Sequence, residues 1–458
     1  MAGIGFELRK ILKKDSLLSL GKMYTYAGIL SSGPWVVSIL AILMVGLINV
    51  SLSHASTLDT LRFQVIITYA IAFASSLLVV GLVQFPFTRY VADLIFAKKE
   101  EDILSGFFGV LMVVWVSGIP FIWLLVSYAF PTQSFLLKLE AATVYLLLTS
   151  VWISNVLSTS LKYYKGVTAG YIVGYSLIVL LAYFYKTDLE KLLLIYIVGN
   201  VILLVVLISL IIKSYHSEEF FQFRFFSKER YYWRIGLAGL FYNVGVWADK
   251  FVFWYSPETG YNVIGRIHAS VVYDLPIFMS YLSIVPGMAI FFYRLESDFA
   301  EFYDKFYDAV LHDGTLNVIE FYRNQMTMTI HQAIREILVY QGIVDVLIFL
   351  LAPTIFEMLK IPLLYLDLFY VLTVGAMLQL GFMAILSILF YLDRQAEGMW
   401  LSFAFLVLNT ILSIITVKLG PTWFGYGYTG SLLIVFIAGL ILLNHVMENL
   451  EYETFMLR

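Results

Sequence analysis

Apolar and polar positions in this chain alternate on the scale of whole helices. About twelve apolar stretches fill most of the 458 residues, each close to the roughly 20 apolar residues that a helix needs to cross a bilayer. The runs Val36 to Val50, Ile66 to Val83, Leu193 to Ile212 and Leu432 to Leu443 form the apolar centres of such spans. The pattern predicts spans near 24–49, 63–88, 103–129, 140–161, 167–185, 191–213, 233–255, 269–293, 332–352, 366–391, 399–417 and 427–447. The fold class expected is an all-α integral membrane protein.

The basic residues fall in alternate gaps between these spans. Threaded from a cytoplasmic N-terminus, 21 of the 29 Lys and Arg lie on the inner side and 7 on the outer side, with Lys250 inside a span. Retention of Lys and Arg on the cytoplasmic side supports both the count and the orientation, and places the N- and C-termini in the cytoplasm. The inner segment around 214–232 splits the chain into two sets of six helices, 24–213 and 233–447. Six is even, so both sets enter from the same side, as parallel repeats about an axis along the membrane normal do. A second inner segment, 294–331, interrupts the later set, and 448–458 forms a cytoplasmic tail. At the start, residues 1–23, Ile4, Leu8, Ile11 and Leu12 face away from Arg9, Lys10, Lys13 and Lys14. That pattern predicts an interfacial helix on anionic lipid, with a solvated basic leader as the alternative, and no cleavable secretory leader.

Composition narrows the chemistry. Hydrophobic residues make up 61% of the chain and charged ones 13%, against roughly a quarter charged in soluble domains. A net charge of −3 without a basic patch argues against nucleic acid. The absence of cysteine excludes disulfides and thiolate chemistry. No phosphate-binding loop occurs, the six histidines are scattered, and no segment is long enough for a nucleotide-sugar domain. Neither an enzyme nor a bound cofactor or metal is expected.

An ionisable residue at mid-membrane costs about 2.5 to 3.5 kcal/mol on insertion scales, so each one needs a partner, a wet cavity or a function. The seventh span holds two. Asn243, Trp247, Lys250 and Trp254 recur there at helical spacing and share one face, which suits a cavity. Asp249, about 100° away, is expected to find its partner on another helix, and so is Lys250. Asp274 in the eighth span is the leading partner for Lys250; an ionic cluster that only holds the later helices together is the competing reading. Pro276 and Pro286 loosen that span. The first span carries a similar stripe, Tyr24, Gly28, Ser31, Trp35, Ser38 and Asn49, with a bend expected at Gly33 and Pro34. Close helix packing explains small hydroxyl residues equally well. Trp35, Trp247 and Trp254 within spans suit the apolar faces of sugar rings. On the inner segment, Asp298, Glu301, Asp304 and Asp308 line the polar side of an amphipathic helix. They form either a dock for a cytoplasmic partner or a solvated face.

The runs GIGFELRK at 3–10, YTYAGILSSGPWVVSI at 24–39, QFPFTRYVAD at 84–93 and DLPIFMSYLSIVPGMAIFFYRLE at 274–296 resemble the PelG family over the whole chain length. The resemblance implies a component of Pel exopolysaccharide export in the bacterial cytoplasmic membrane, within the multidrug, oligosaccharidyl-lipid and polysaccharide (MOP) superfamily. It implies two six-helix lobes around a central cavity lined by the first and seventh helices. It also implies an amino-sugar polymer as cargo, and as partners the cytoplasmic glycosyltransferase PelF and the membrane proteins PelD and PelE. Alternatives are a lipid-linked oligosaccharide flippase or small-molecule antiporter, and a non-transporting scaffold of the synthase.

Overall fold

The computed structural model describes residues 17–52, 56–76, 80–159, 164–185, 188–227, 231–312, 314–359 and 361–456. The interfacial helix expected at 4–14 lies outside them. Almost all of the described chain is helical. The helices are α1 Leu17–Leu52, α2 Thr57–Ser76, α3 Val80–Phe96, α4 Glu101–Ala129, α5 Phe135–Thr159, α6 Tyr164–Phe184, α7 Leu189–Ser214 and α8 Trp233–Tyr255. A two-stranded antiparallel hairpin, β1 Tyr261–Ile264 and β2 Ile267–Ala269, follows. Then come α9 Val271–Ser283, α10 Val285–Tyr293, a π-helical turn Arg294–Phe299, α11 Ala300–Leu311, α12 Leu316–Met358, α13 Leu366–Tyr391, α14 Gln395–Leu419 and α15 Tyr426–Met456.

Each of the twelve expected spans falls on helix among the described residues, with one correction of form. The span expected at 63–88 falls on α2 and α3, with 77–79 outside the described residues, and the span at 269–293 is α9 followed by the helical run Val285–Leu311 that α10 opens, bent by 42°. Pro286 stands in the first turn of α10, where a missing N–H costs nothing and a new helix can start. Among the described residues, eight helices are long and apolar enough to cross a membrane, or nine with the bent pair counted once. Helix α8 falls short because Asn243, Asp249 and Lys250 dilute its hydropathy, so its place in the bundle rests on packing.

The chain packs as two compact units. Residues 33–271 form the first, and the flanking chain, 17–32 with 272–456 among the described residues, forms the second. This division differs from the one read at 214–232, because α8 packs on α3 within the first unit. The cause is a close approach of backbones: a Cβ on Gly239 would lie 2.5 Å from Gly81 O, and one on Gly236 would lie 2.9 Å from Leu82 O. Small residues at helix crossings of this kind replace the hydrophobic drive that lipid removes. Tyr231 pins the same contact, its hydroxyl donating to Leu82 O at 3.0 Å. Below it, Phe87, Tyr90, Phe107 and Phe225 form a buried core.

In the second unit, α12 runs for 43 residues, about 64 Å at 1.5 Å per residue, roughly twice the hydrocarbon thickness. Its polar first half is tied down by ion pairs. Arg294 holds Glu336 through two hydrogen bonds of 2.8 and 2.6 Å, Arg323 meets Glu451 at 3.1 Å, and Arg394 pairs with Glu453. The last helix thus extends past its apolar stretch and straps α12 and α14.

Gly239→Leu forces the α8–α3 crossing apart, and overpacking of this order costs about 1–3 kcal/mol. The expected result is a lower melting temperature of the detergent-solubilised chain and lower membrane abundance, whereas Gly342→Leu, with open space at its Cβ, leaves both unchanged.

Candidate functional site

The seventh-span stripe is real as a face, and it is filled. Trp254 and Lys250 are fully enclosed, and Trp247 is nearly so. Trp254 lies flat on Tyr69 of α2, with ring centroids 4.5 Å apart and planes 20° from parallel. Phe251 meets Trp254 edge-on at 5.0 Å, and Trp247 lies 6.2 Å from it. Tyr69 is held in turn by a 2.8 Å hydrogen bond from its hydroxyl to His268 O of β2. Offset and edge-on aromatic pairs of this kind each add about 0.5–1.5 kcal/mol beyond burial. Helix α8 is therefore clamped at its aromatic end by α2 and the hairpin.

Beside these rings sits the charge. Lys250 Nζ lies 3.1 Å from Asp249 Oδ2, and both side chains are 0% exposed. The ammonium also donates to Val246 O at 2.8 Å and stands 5.7 Å from the Trp247 ring centre. This corrects the expectation that adjacent residues on a helix make a poor pair. The lysine stem is long enough to fold back toward the carbonyl four residues earlier, and from there it reaches the carboxylate of its neighbour. A buried pair is costly to form, yet more costly to break, because removing one partner strands the other charge. One turn earlier, Asn243 is half-buried and its Nδ2 has no hydrogen-bond partner among the described residues, a free donor on the same face.

Other expected site residues are distributed between the units. Trp35 and Ser38 of α1 are half-buried in the first unit, with Ser38 Oγ donating to Trp35 O at 2.8 Å. Tyr24 and Ser31 lie on the helical backbone of α1 in the second unit, and their side chains lie outside the described residues. Gly33 and Pro34 sit where α1 passes from one unit to the other. Asp274 and Pro276 open α9 in the second unit, the proline inside the helix. Of the four acids on the inner segment, Asp298 is already paired with Arg294 and Glu301 with Lys305, whereas Asp304 and Asp308 are exposed, Asp308 lying 3.0 Å from His312. The aromatic side of that segment packs inward, Phe299 and Tyr303 against Tyr391.

Open space in the first unit lies next to the filled face. A cavity of about 250 Å³ is lined by Tyr69, Phe73, Tyr128, Tyr145, Tyr255 and Arg266 among others. Arg266 at its rim lies over the Tyr128 ring at 4.3 Å. The hairpin turn that carries it needs Gly265, at φ +57, a left-handed conformation that other residues adopt at a cost. Sequence reading missed this rim, and it missed buried polar groups in the spans, among them Glu140, Gln341 and Asp345. Asp345 had a signal, since it is the sole charged residue between Glu336 and Glu357.

A double-mutant cycle tests the pair. Lys250→Met or Asp249→Asn alone is expected to lower stability by about 3–5 kcal/mol, and the double substitution to recover a large share of that loss. Thermal melts of the purified variants measure it.

The family model described as "PelG: Putative exopolysaccharide Exporter (EPS-E)" matches residues 1–455. No curated protein matches the chain. Among solved structures, a MOP superfamily transporter from Pyrococcus furiosus, whose binding pocket is described as having reversed polarity, is 14% identical, with a TM-score of 0.63 over 93% of this chain and 96% of that one. A multidrug resistance MATE family transporter of the MOP superfamily in an outward-facing conformation aligns with the same values. An inward-facing one aligns at 14% identity and a TM-score of 0.59, over 89% of this chain and 95% of that one. The fold is thus that of MOP transporters, and a multi-pass membrane chain whose family model covers nearly its whole length belongs to the PelG family of exopolysaccharide exporters.

Proposed function

We propose that the chain passes a nascent amino-sugar exopolysaccharide of the Pel type from the cytoplasm across the inner membrane, with both termini on the cytoplasmic side. The observation that carries this reading is where the chain crosses between its two packed units. The crossings fall between Ser32 and Gly33 and between Val271 and Val272, beside Pro34 and Pro276. A transporter that works by rocking needs rigid bodies joined at few, bendable points, and the prolines and glycine stand at those points. Gly33, Pro34, Pro276 and Pro286 act as hinges in this reading.

In the first unit the path follows Asn243 and Trp247 of α8, with Lys250 and Trp254 packed behind them, and Trp35 and Ser38 of α1; in the second unit it follows Tyr24 and Ser31 of α1 and Asp274 of α9. The free amide of Asn243 and the indole of Trp247 suit sugar hydroxyls and apolar sugar faces. The Asp249–Lys250 pair fixes the α8 rotamers from behind. The exposed Asp304 and Asp308 contribute to a dock for a cytoplasmic partner. The glycosyltransferase PelF is the natural source of polymer there, with PelD and PelE as membrane partners.

Secretion of polymer by cells that depend on this chain tests the reading, with membrane levels measured in parallel. Trp247→Ala and Lys250→Met are expected to cut secretion by more than about tenfold, the factor that 1.4 kcal/mol produces, at a membrane level where the conservative Trp247→Phe still secretes. Normal secretion by both variants removes α8 from the path. Loss that merely tracks abundance assigns the face to stability, and an accumulation of lipid-linked saccharide inside the cell favours a flippase.

A further inference from the structure

The bent helix pair of the second unit holds a polar site that the transport path does not use. Between Ser283 and Val285 the chain leaves α9 and enters α10, the start of a helical run Val285–Leu311 set at 42° to α9, which frees backbone groups inside the membrane-spanning part. Such breaks are tolerated only where other groups re-satisfy the backbone. Gln341 of α12 does so with both ends of its amide. Its Nε2 donates to Ser283 O at 2.9 Å, and its Oε1 accepts from the Gly287 N–H at 3.1 Å. The same Nε2 donates to Asp345 Oδ1 at 2.7 Å, one turn further along α12. Gln341 is completely buried and Asp345 is 3% exposed.

The chain of bonds ends on one atom. Asp345 Oδ2 is buried and has no hydrogen-bond partner among the described residues. No Lys, Arg or His forms an ion pair with Asp345 among them. The charged groups of the elements packed on α12 stand elsewhere: Arg294 holds Asp298 and Glu336, Lys305 pairs with Glu301 on α11, Asp367 opens α13, and Glu451 of α15 meets Arg323. On α12 itself the nearest charges are Glu336 and Glu357, more than two turns away on either side. An ionised carboxylate in such surroundings is the kind of buried charge that proteins neutralise. A metal cation calls for several oxygens, and here Gln341 Oε1 and Ser283 O are already engaged, which leaves Oδ2. A proton needs one oxygen.

We propose that Asp345 is a proton-binding site. In this conformation the carboxyl is neutral with its proton on Oδ2, and it exchanges that proton with water when the α9–α10 break opens. The proton goes to water and returns from water, with Gln341 linking the carboxyl to the break. The site is a property of the second unit and stands whatever polymer the chain carries.

Infrared spectra of the purified full chain in lipid test this directly, by following the carboxylic-acid C=O stretch with aspartate carrying a 13C side-chain carboxyl. At neutral pH the wild type is expected to show such a band, shifted by the label and lost in Asp345→Asn, which keeps the shape of the neutral acid. Sodium ions leave the band unchanged. An identical band in Asp345→Asn, no labelled band at neutral pH, or a band abolished by sodium overturns the proposal. If Asp345→Asn accumulates poorly, Asp345→Glu serves instead, and its band is expected to ignore the aspartate label; a band that still shifts with the label overturns the proposal.

Discussion

Lipid offers no hydrogen bonds, so every charge and every broken turn in the spans must be answered from within the protein. The fully enclosed Asp249–Lys250 pair is where this constraint presses hardest. A charged pair at this depth is tolerated because the ammonium has a carbonyl of its own helix and a carboxylate within reach, and because aromatic rings close the space around it. That arrangement fixes α8 in one rotation. With the rotation set, Gly236 and Gly239 face α3, Trp254 lies on Tyr69, and Asn243 and Trp247 occupy the remaining face. The position of α8 in the first unit follows from these contacts more than from hydropathy.

The second unit answers the same constraint with an amide. Gln341 spans the break between α9 and α10 and binds a backbone group on each side of it. Both units therefore keep irregular or charged groups inside the membrane-spanning region by local hydrogen-bond networks, the one in the second unit ending on Asp345 Oδ2. These networks are stiff where they are complete. The chain leaves one unit for the other at Ser32–Gly33 and Val271–Val272, with Pro34 and Pro276 close by in sequence. Under the proposed rocking, those crossings would carry the bending.

Much of the fold was legible because membrane helices announce themselves one at a time. The span read at 233–255 coincides with α8, and the one at 366–391 with α13, since each is bounded by polar residues and needs no tertiary information. Where a span ends inside lipid, the signal fails: the run through 269–293 reads as one helix, and only the packing of Gln341 reveals the break at Ile284. The packed units divide the chain elsewhere than the connection at 214–232, because the glycines that draw α8 onto α3 act through space. On the candidate site, helical spacing correctly grouped Trp247, Lys250 and Trp254. It could not tell a lined cavity from a filled core, because both demand the same residues on the same face. The reach of the lysine stem, which brings Lys250 to Asp249, is invisible to a reading in which each side chain points radially.

Movement of polymer through the chain is what the proposed function requires. Proteoliposomes that carry the chain, with the glycosyltransferase and its labelled nucleotide sugar on one side only, measure that movement as polymer protected from a glycosidase added to the same side. Protected polymer is predicted with the wild-type chain, and little with Lys250→Met at equal protein. Protection that is equal with and without the chain would contradict it.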